Sequence, residues 1–238
     1  MQTGAKIAIG TAVALGAVVL TRAALAEPPV RTGYLTARDM TAAEAKVALD
    51  ELQAAGQLAW QPSADPGFVD LGTSLDAVQF QYDGKPVAIS HVTPQFAVLL
   101  TRIAQILRRG FGVVAIQHAG IYPGLGDKQD VHNRGNAIDI AGVMTAEDGP
   151  IQVLADWGKR PKSGPGYRLG PNDRGYTMFK TIYDFSAREA EDDPGGDHSR
   201  PPSSIGDHSL IITPDHPEAA LAAKHADHFH IQLGPTRA

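Results

Sequence analysis

Cysteine is absent from the 238 residues of the chain. That removes disulfides, iron–sulfur clusters, thiolate nucleophiles and any zinc site with cysteine ligands. An excess of positive charge is lacking too: 21 Lys and Arg stand against 26 Asp and Glu, a balance that argues against a protein built to grip nucleic-acid phosphates. Aromatic residues make up only 6%. No apolar run reaches the ~20 residues that a membrane span needs. What is plentiful is ordinary: 43% hydrophobic and 20% charged residues describe a globular chain, neither disordered nor coiled-coil. Histidine is the generous polar residue, with 9 copies, several of them near the C-terminus.

The first 26 residues read as a secretory signal peptide. Lys6 gives a positive start, Ile7 to Leu20 forms a short apolar run, and Ala24-Leu25-Ala26 supplies the small-residue cleavage pattern before Glu27-Pro28-Pro29. The expected location is therefore outside the cytoplasm, in the periplasm or extracellular, with no membrane span left after cleavage. Removing Lys6 and Arg22 makes the remainder more acidic still. Without disulfides, an exported chain must draw its stability from packing or from a metal.

Residues 27–77 read as an N-terminal linker and helix. Thr41 and Glu44 form a capping box, and Ala45, Leu49 and Leu52 give helical spacing until Gly56, so a helix is predicted over Ala42–Ala55. Trp60 to Thr73 reads as loop. Residues 78–238 read as one domain. Val78–Tyr82 and Val87–Ile89 predict a hairpin about Asp83-Gly84. Thr93-Pro94 opens a helix whose apolar face runs from Phe96 to Leu107, with Gly110 closing it. Strands are expected at Phe111–Ile116, Ala137–Val143, Leu210–Ile212 and His228–Leu233, and helices at Tyr176–Ala187 and Glu218–Lys224. Ile121–Val131 reads as an exposed loop. Glu189–Ser209, with Gly-Asp-His-Ser twice, reads as a polar surface insertion. Antiparallel strands with a few helices imply an α+β fold, a small antiparallel sheet flanked by helices.

Two segments carry chemistry. In Asp130–Ile140, strand alternation puts Ala137, Asp139 and Ala141 on one face and Ile138 and Ile140 on the other. A carboxylate on a largely buried strand needs a partner or a metal, because burying it bare costs several kcal/mol. His132 sits in the turn leading in, where Gly135 lets the chain bend. In His225–Leu233, alternation sends His228, His230 and Gln232 one way and Phe229, Ile231 and Leu233 into the core. Two imidazoles beside an acid suit a borderline-soft ion such as Zn²⁺. Two ligands from the first segment and one from the second would leave the open position of a catalytic zinc site. His91, His118 and His216 stand outside this pattern and read as core or loop residues. His225 is a candidate for supporting the ligands.

The run His-x-x-Gly-x-Ala-x-Asp, followed far downstream by His-x-His, resembles the zinc D-alanyl-D-alanine carboxypeptidases and murein endopeptidases. Within that superfamily the chain is most similar to bacterial extensin-like C-terminal domain proteins, sharing Gly-Asn-Ala-Ile-Asp-Ile-Ala-Gly, a later Asp-Gly and a terminal Asp-His-Phe-His. The resemblance spans roughly Val78 to Leu233, with Glu189–Ser209 unmatched. It implies His132, Asp139 and His230 as zinc ligands, Asp227 as the general base, and His228 as a stabiliser of charge in the tetrahedral intermediate. Alternation points Asp227 away from His228 and His230, so both Asp227 and His228 stand as catalytic candidates.

The chain departs from the family pattern at two places. Asp130 occupies the position of a Ser, and the loop after Gly120-Ile121-Tyr122 lacks the Arg that would hold a substrate carboxylate. Lys128, Arg134 and Tyr122 are the substrate-binding candidates that remain, although a Lys lacks the two-pronged fit of a guanidinium. The expectation is an exported zinc metallopeptidase acting on peptidoglycan stem peptides or cross-links, with Zn²⁺ as cofactor and no nucleic-acid partner. The alternatives are a non-catalytic zinc-containing module that binds cell wall or a protein, and a structural zinc domain.

Overall fold

The computed structural model describes residues 34–121, 131–190, 210–216 and 218–234. Among the described residues five helices and eleven strands follow one another. They are α1 (Ala42–Ala54), β1 (Trp60–Pro62), β2 (Val69–Leu71), β3 (Ser74–Leu75), β4 (Val78–Tyr82), β5 (Lys85–Pro86), β6 (Ile89–Val92), α2 (Pro94–Phe111), β7 (Val113–Gly120) and β8 (Ala137–Thr145). After them come β9 (Gly149–Gln152), α3 (Val153–Asp156), α4 (Pro171–Ala190), β10 (Leu210–Ile212), α5 (Ala219–Lys224) and β11 (Phe229–Gln232). The fold is α+β, as the pattern of elements predicts.

The strands form two sheets. A small antiparallel one has the order β1-β2-β6, and a larger one of eight strands has the order β10-β11-β8-β7-β4-β3, with β5 beside β4 and β9 beside β8. All pairs in the larger sheet are antiparallel except β4 with β7. That parallel pair needs a long return path, which α2 helps to provide. Phe80, Phe96, Leu99, Leu100, Ile103, Ile116, Phe179 and Phe229 have no more than 1% of their surface exposed and form the centre of the core. Phe179 and Phe229 meet edge to face at 5.6 Å, tying α4 to β11.

Local chemistry explains most boundaries. Thr41 and Glu44 make the predicted capping box of α1. The hydroxyl of Thr93 accepts from the Phe96 N–H and Pro94 opens α2. That helix runs past Gly110 and ends at Gly112, whose φ of +67° is the left-handed cap. The predicted hairpin forms about Asp83 and Gly84, at φ of +49° and +71°, but its return strand covers only Lys85 and Pro86. Ile89 instead belongs to β6 in the other sheet. Residues 60–73, expected as loop, contain β1 and β2; three-residue strands carry too little periodicity to be read without their partners. Glu189 and Ala190, expected in the insertion, are the buried last residues of α4. Residues 191–209 lie outside the described residues. No helix among the described residues is long and apolar enough to cross a membrane.

Buried Glu189 ties the start of the described chain to α4. Its carboxylate accepts from the Tyr34 hydroxyl, from the Ala37 N–H at 2.9 Å and from the Arg102 guanidinium at 2.7 Å. Burial, then the bond to Glu189, pushes the Tyr34 phenol up to about 12.

Candidate metal centre

β8 and β11 are direct neighbours, and their register sets His230 opposite Asp139. On β7, Gly120 lies opposite Asp139 from the other side. A Cβ at Gly120 would meet Asp139 Oδ2 at 3.6 Å and the His132 ring at 3.9 Å, so the floor beside the carboxylate stays low. Ile138, Ile140, Phe229 and Ile231 fill the core beneath, as alternation predicts. Asp139 and His230 therefore share the opposite face.

His132 arrives from the turn before β8. The Gly135 N–H donates to His132 O at 3.0 Å, and Gly135 has φ of +66°. A Cβ on Gly135 would strike the carbonyl of His91 and lie 2.8 Å from Val92 Cα. The Thr93 N–H donates to Gly135 O at 3.0 Å, and the Thr93 hydroxyl donates to Asn136 Oδ1 at 2.5 Å. His91, read from sequence as a bystander, is the buttress of this turn. It holds φ of +54°, its N–H donates to Asp70 Oδ1 at 2.9 Å, and its ring stacks on Phe68 at 3.8 Å and pairs with Asp65 at 3.2 Å. A left-handed histidine is uncommon and persists here because these three contacts over-determine it.

The three side chains converge. Asp139 Oδ1 lies 2.8 Å from His230 Nδ1 and Asp139 Oδ2 lies 3.4 Å from His132 Nε2. One ligand atom from each of the three residues falls within 4.8 Å of the others. A tetrahedral zinc with ligands near 2.1 Å spaces them about 3.4 Å apart, so this donor set could hold such an ion with little movement. Burial works to raise the Asp139 carboxyl, but the hydrogen bond from His230 and the histidine charges around it overcome that. The group is held below the usual carboxylate range and offers an ionised ligand.

Further residues surround this cluster. His230 Nε2 faces Gln232 Oε1 at 3.4 Å. Without an ion, Nδ1 carries the hydrogen that Asp139 Oδ1 accepts; with that hydrogen moved to Nε2, facing the accepting amide oxygen of Gln232, Nδ1 would be free to ligate a metal. Alternation places Gln232 on this face, and its register beside His230 was the available signal. His225 packs against His228 and His230 with ring centroids 4.8 and 5.9 Å away, and its Nδ1 donates to Leu221 O at 2.8 Å. Burial pushes its pKa down.

Asp227 and His228 resolve differently from strict alternation. Asp227 precedes β11, where the chain is not yet extended, and its Oδ1 lies 2.7 Å from His228 Nδ1. The bond to His228 holds the Asp227 carboxyl below its ordinary range. His228 Nε2 in turn lies 3.9 Å from Asp139 Oδ1. The acid thus reaches the cluster through the imidazole, while its own side chain is 67% exposed.

Of the substrate-binding candidates, Arg134 stands two residues after His132 in the same turn, and Tyr122 and Lys128 lie outside the described residues, as does Asp130. His216 belongs to a local turn, its Nδ1 accepting from the Glu218 N–H at 3.1 Å. His118 is buried at the β7–β8 pair opposite Ile140. Compared with protein families, with curated proteins and with solved structures, the chain finds no match in any of the three, and the reading of this site rests on its own residues.

Proposed function

We propose that the chain is an exported zinc metallopeptidase that hydrolyses peptide bonds in peptidoglycan stem peptides or cross-links. The observation that carries the reading is the convergence of His132, Asp139 and His230 from a turn and two paired strands, with the Asp227–His228 pair at its edge. Zinc, when bound, lowers the pKa of a water to about 7 and polarises a carbonyl.

The chain's own residues supply the rest. His228 Nε2 faces the cluster and is placed to take a proton there and return it to a leaving amine. Asp227 holds the hydrogen on His228 Nδ1, which keeps Nε2 free as the base, the role that a carboxylate plays behind any catalytic imidazole. In this assignment His228 is the base and Asp227 its positioning residue. Gln232 orients His230, and Asp139 contributes negative charge. The apolar signal-like N-terminus supports export.

A second reading is a non-catalytic module that binds cell-wall peptide. The specific observation in its favour is the absence of Arg between Pro123 and Gln129. Incubation of the zinc-loaded protein with muropeptides, followed by mass spectrometry, separates the two. The enzyme releases an amino acid or a fragment; the module leaves every muropeptide intact while retaining it.

A further inference from the structure

The face of the larger sheet that bears Asp139 also carries an amide pair that the metal cluster does not use. In the β7–β8 ladder Gln117 lies opposite Gly142, yet the next residue, His118, lies opposite Ile140. Ala141 is skipped, a bulge. Its consequence is visible in the burial: Ile140 and Val143 both enter the core, with Ala141 and Gly142 between them. The bulge turns Gly142 to the Asp139 face.

Gly142 is also opposite Gln152 on β9. The two glutamines therefore flank it from both sides, and Gln152 Nε2 donates to Gln117 Oε1 at 2.6 Å across the β8 backbone. Only glycine permits this: a Cβ at Gly142 would lie 2.6 Å from Ile151 O and 3.0 Å from Gln152 Cδ and Nε2. The bond uses one hydrogen of Gln152 and one lone pair of Gln117. It leaves the Gln117 NH₂ as a donor and Gln152 Oε1 as an acceptor, both on half-buried side chains. Gln81 continues the row, opposite Gln117 on β4, with its Nε2 donating to Gln79 Oε1 at 3.2 Å. This stretch of the face is polar and uncharged.

We infer that the Gln117–Gln152 pair is a substrate subsite that hydrogen-bonds amide groups of the chain lying across the metal cluster, donor to a carbonyl and acceptor to an N–H. The inference rests on the peptidase reading for the identity of that chain. Asp139 and Gly142 are three residues apart on β8, on the order of 10 Å. An extended substrate also advances about 3.3–3.6 Å per residue, so the subsite meets an amide about three residues from the bond at the metal. Within a muropeptide, that amide belongs to the peptide backbone or to the N-acetyl group of the attached sugar. Between cluster and subsite, Gly120 and Ala141 leave the floor low.

The test compares the zinc-loaded full chain with its Gln117→Met, Gln152→Met double variant, which keeps side-chain length and removes both amides. Substrates are a dipeptide, the unglycosylated pentapeptide stem and the disaccharide pentapeptide. Loss of two hydrogen bonds should raise KM about tenfold for substrates that reach the pair, with kcat, zinc content and the dipeptide unchanged. A rise already seen with the bare pentapeptide assigns the amide to the backbone; a rise confined to the disaccharide substrate assigns it to the N-acetyl group. Equal kinetics of the two proteins on all three substrates overturns the subsite and leaves the peptidase reading standing. Should neither protein cleave anything, calorimetric titration with the same pentapeptide and disaccharide pentapeptide decides. Binding lost in the double variant upholds the subsite while the peptidase reading fails, and binding unchanged or absent in both proteins overturns it.

Discussion

The backbone of His91 occupies the space that a side chain on Gly135 would need. Through that contact β6, a strand of the small sheet, braces the turn that delivers His132 to Asp139. Gly135→Ala must therefore pay twice, once for φ of +66°, which costs an L-residue about 1–2 kcal/mol, and again for pushing two backbones apart. The expected outcome is a lower melting temperature together with a 10–100-fold loss of zinc affinity, the range seen when support of a ligand is removed. Chelator competition measures the second effect; unchanged affinity would mean that the His132 turn does not depend on this brace.

The Asp227–His228 pair predicts an ordered set of losses. His228→Ala removes the group that faces the cluster and should cut kcat by about 10²–10⁴-fold. Asp227→Asn keeps the geometry, can present the wrong hydrogen-bonding partner to His228 Nδ1, and should cut kcat less. Both variants should keep their zinc. A dead Asp227→Asn beside a fully active His228→Ala would return the role of base to the carboxylate.

His118 gives a pH dependence of stability. Among the described residues neither of its ring nitrogens has a hydrogen-bond partner, and burial lowers its pKa from the ordinary 6.5 to about 4. The folded protein thus holds this proton less tightly than the unfolded chain. Its contribution is intact above about pH 6.5, falls as the unfolded chain takes up the proton, and is gone near pH 4, a loss of about 3 kcal/mol. Urea denaturation of wild type and His118→Phe at pH 7 and pH 4.5 checks this: the variant should lose less stability on acidification. Parallel losses would contradict it.

Glu189 predicts a purely structural effect. Removing its carboxylate takes the counter-charge from Arg102, whose side chain is 18% exposed and keeps, among the described residues, only its hydrogen bond to Leu35 O, and leaves the Ala37 N–H without its acceptor. Breaking a buried pair from one side costs about 3–5 kcal/mol. Urea midpoints of Glu189→Ala should show a loss of that size with zinc affinity unchanged; a loss under 1 kcal/mol would mean that the network does not anchor the segment.

The sites and the folded elements were legible to different depths. Alternation in His228–Leu233 placed Phe229, Ile231 and Leu233 in the core and His230 on the opposite face, because a strand buried on one face repeats every second residue; the register that sets His230 beside Asp139 is not contained in that pattern. The capping box of α1 and the Thr93-Pro94 start of α2 were equally local. The end of α2 was not: Gly110 and Gly112 are both plausible stops by composition, and only the left-handed backbone at Gly112 decides between them. β1 and β2 owe their existence to register with β6, which no short window contains. His91 was missed because its role belongs to its carbonyl and its φ, and a sequence shows neither. The bulge at Ala141, which brings Gly142 to the Asp139 face, interrupts the very alternation used to assign faces.

The most direct test of the account is the metal content of the purified chain. Elemental analysis after dialysis against trace zinc should find about one zinc per wild-type chain. His132→Ala, Asp139→Ala and His230→Ala should each bind far less and lose the zinc-dependent part of their thermal stability, while His216→Ala keeps both. Full zinc occupancy in His132→Ala or His230→Ala, or a wild-type chain whose melting temperature ignores added zinc and chelator alike, would contradict the metal centre on which the functional reading stands.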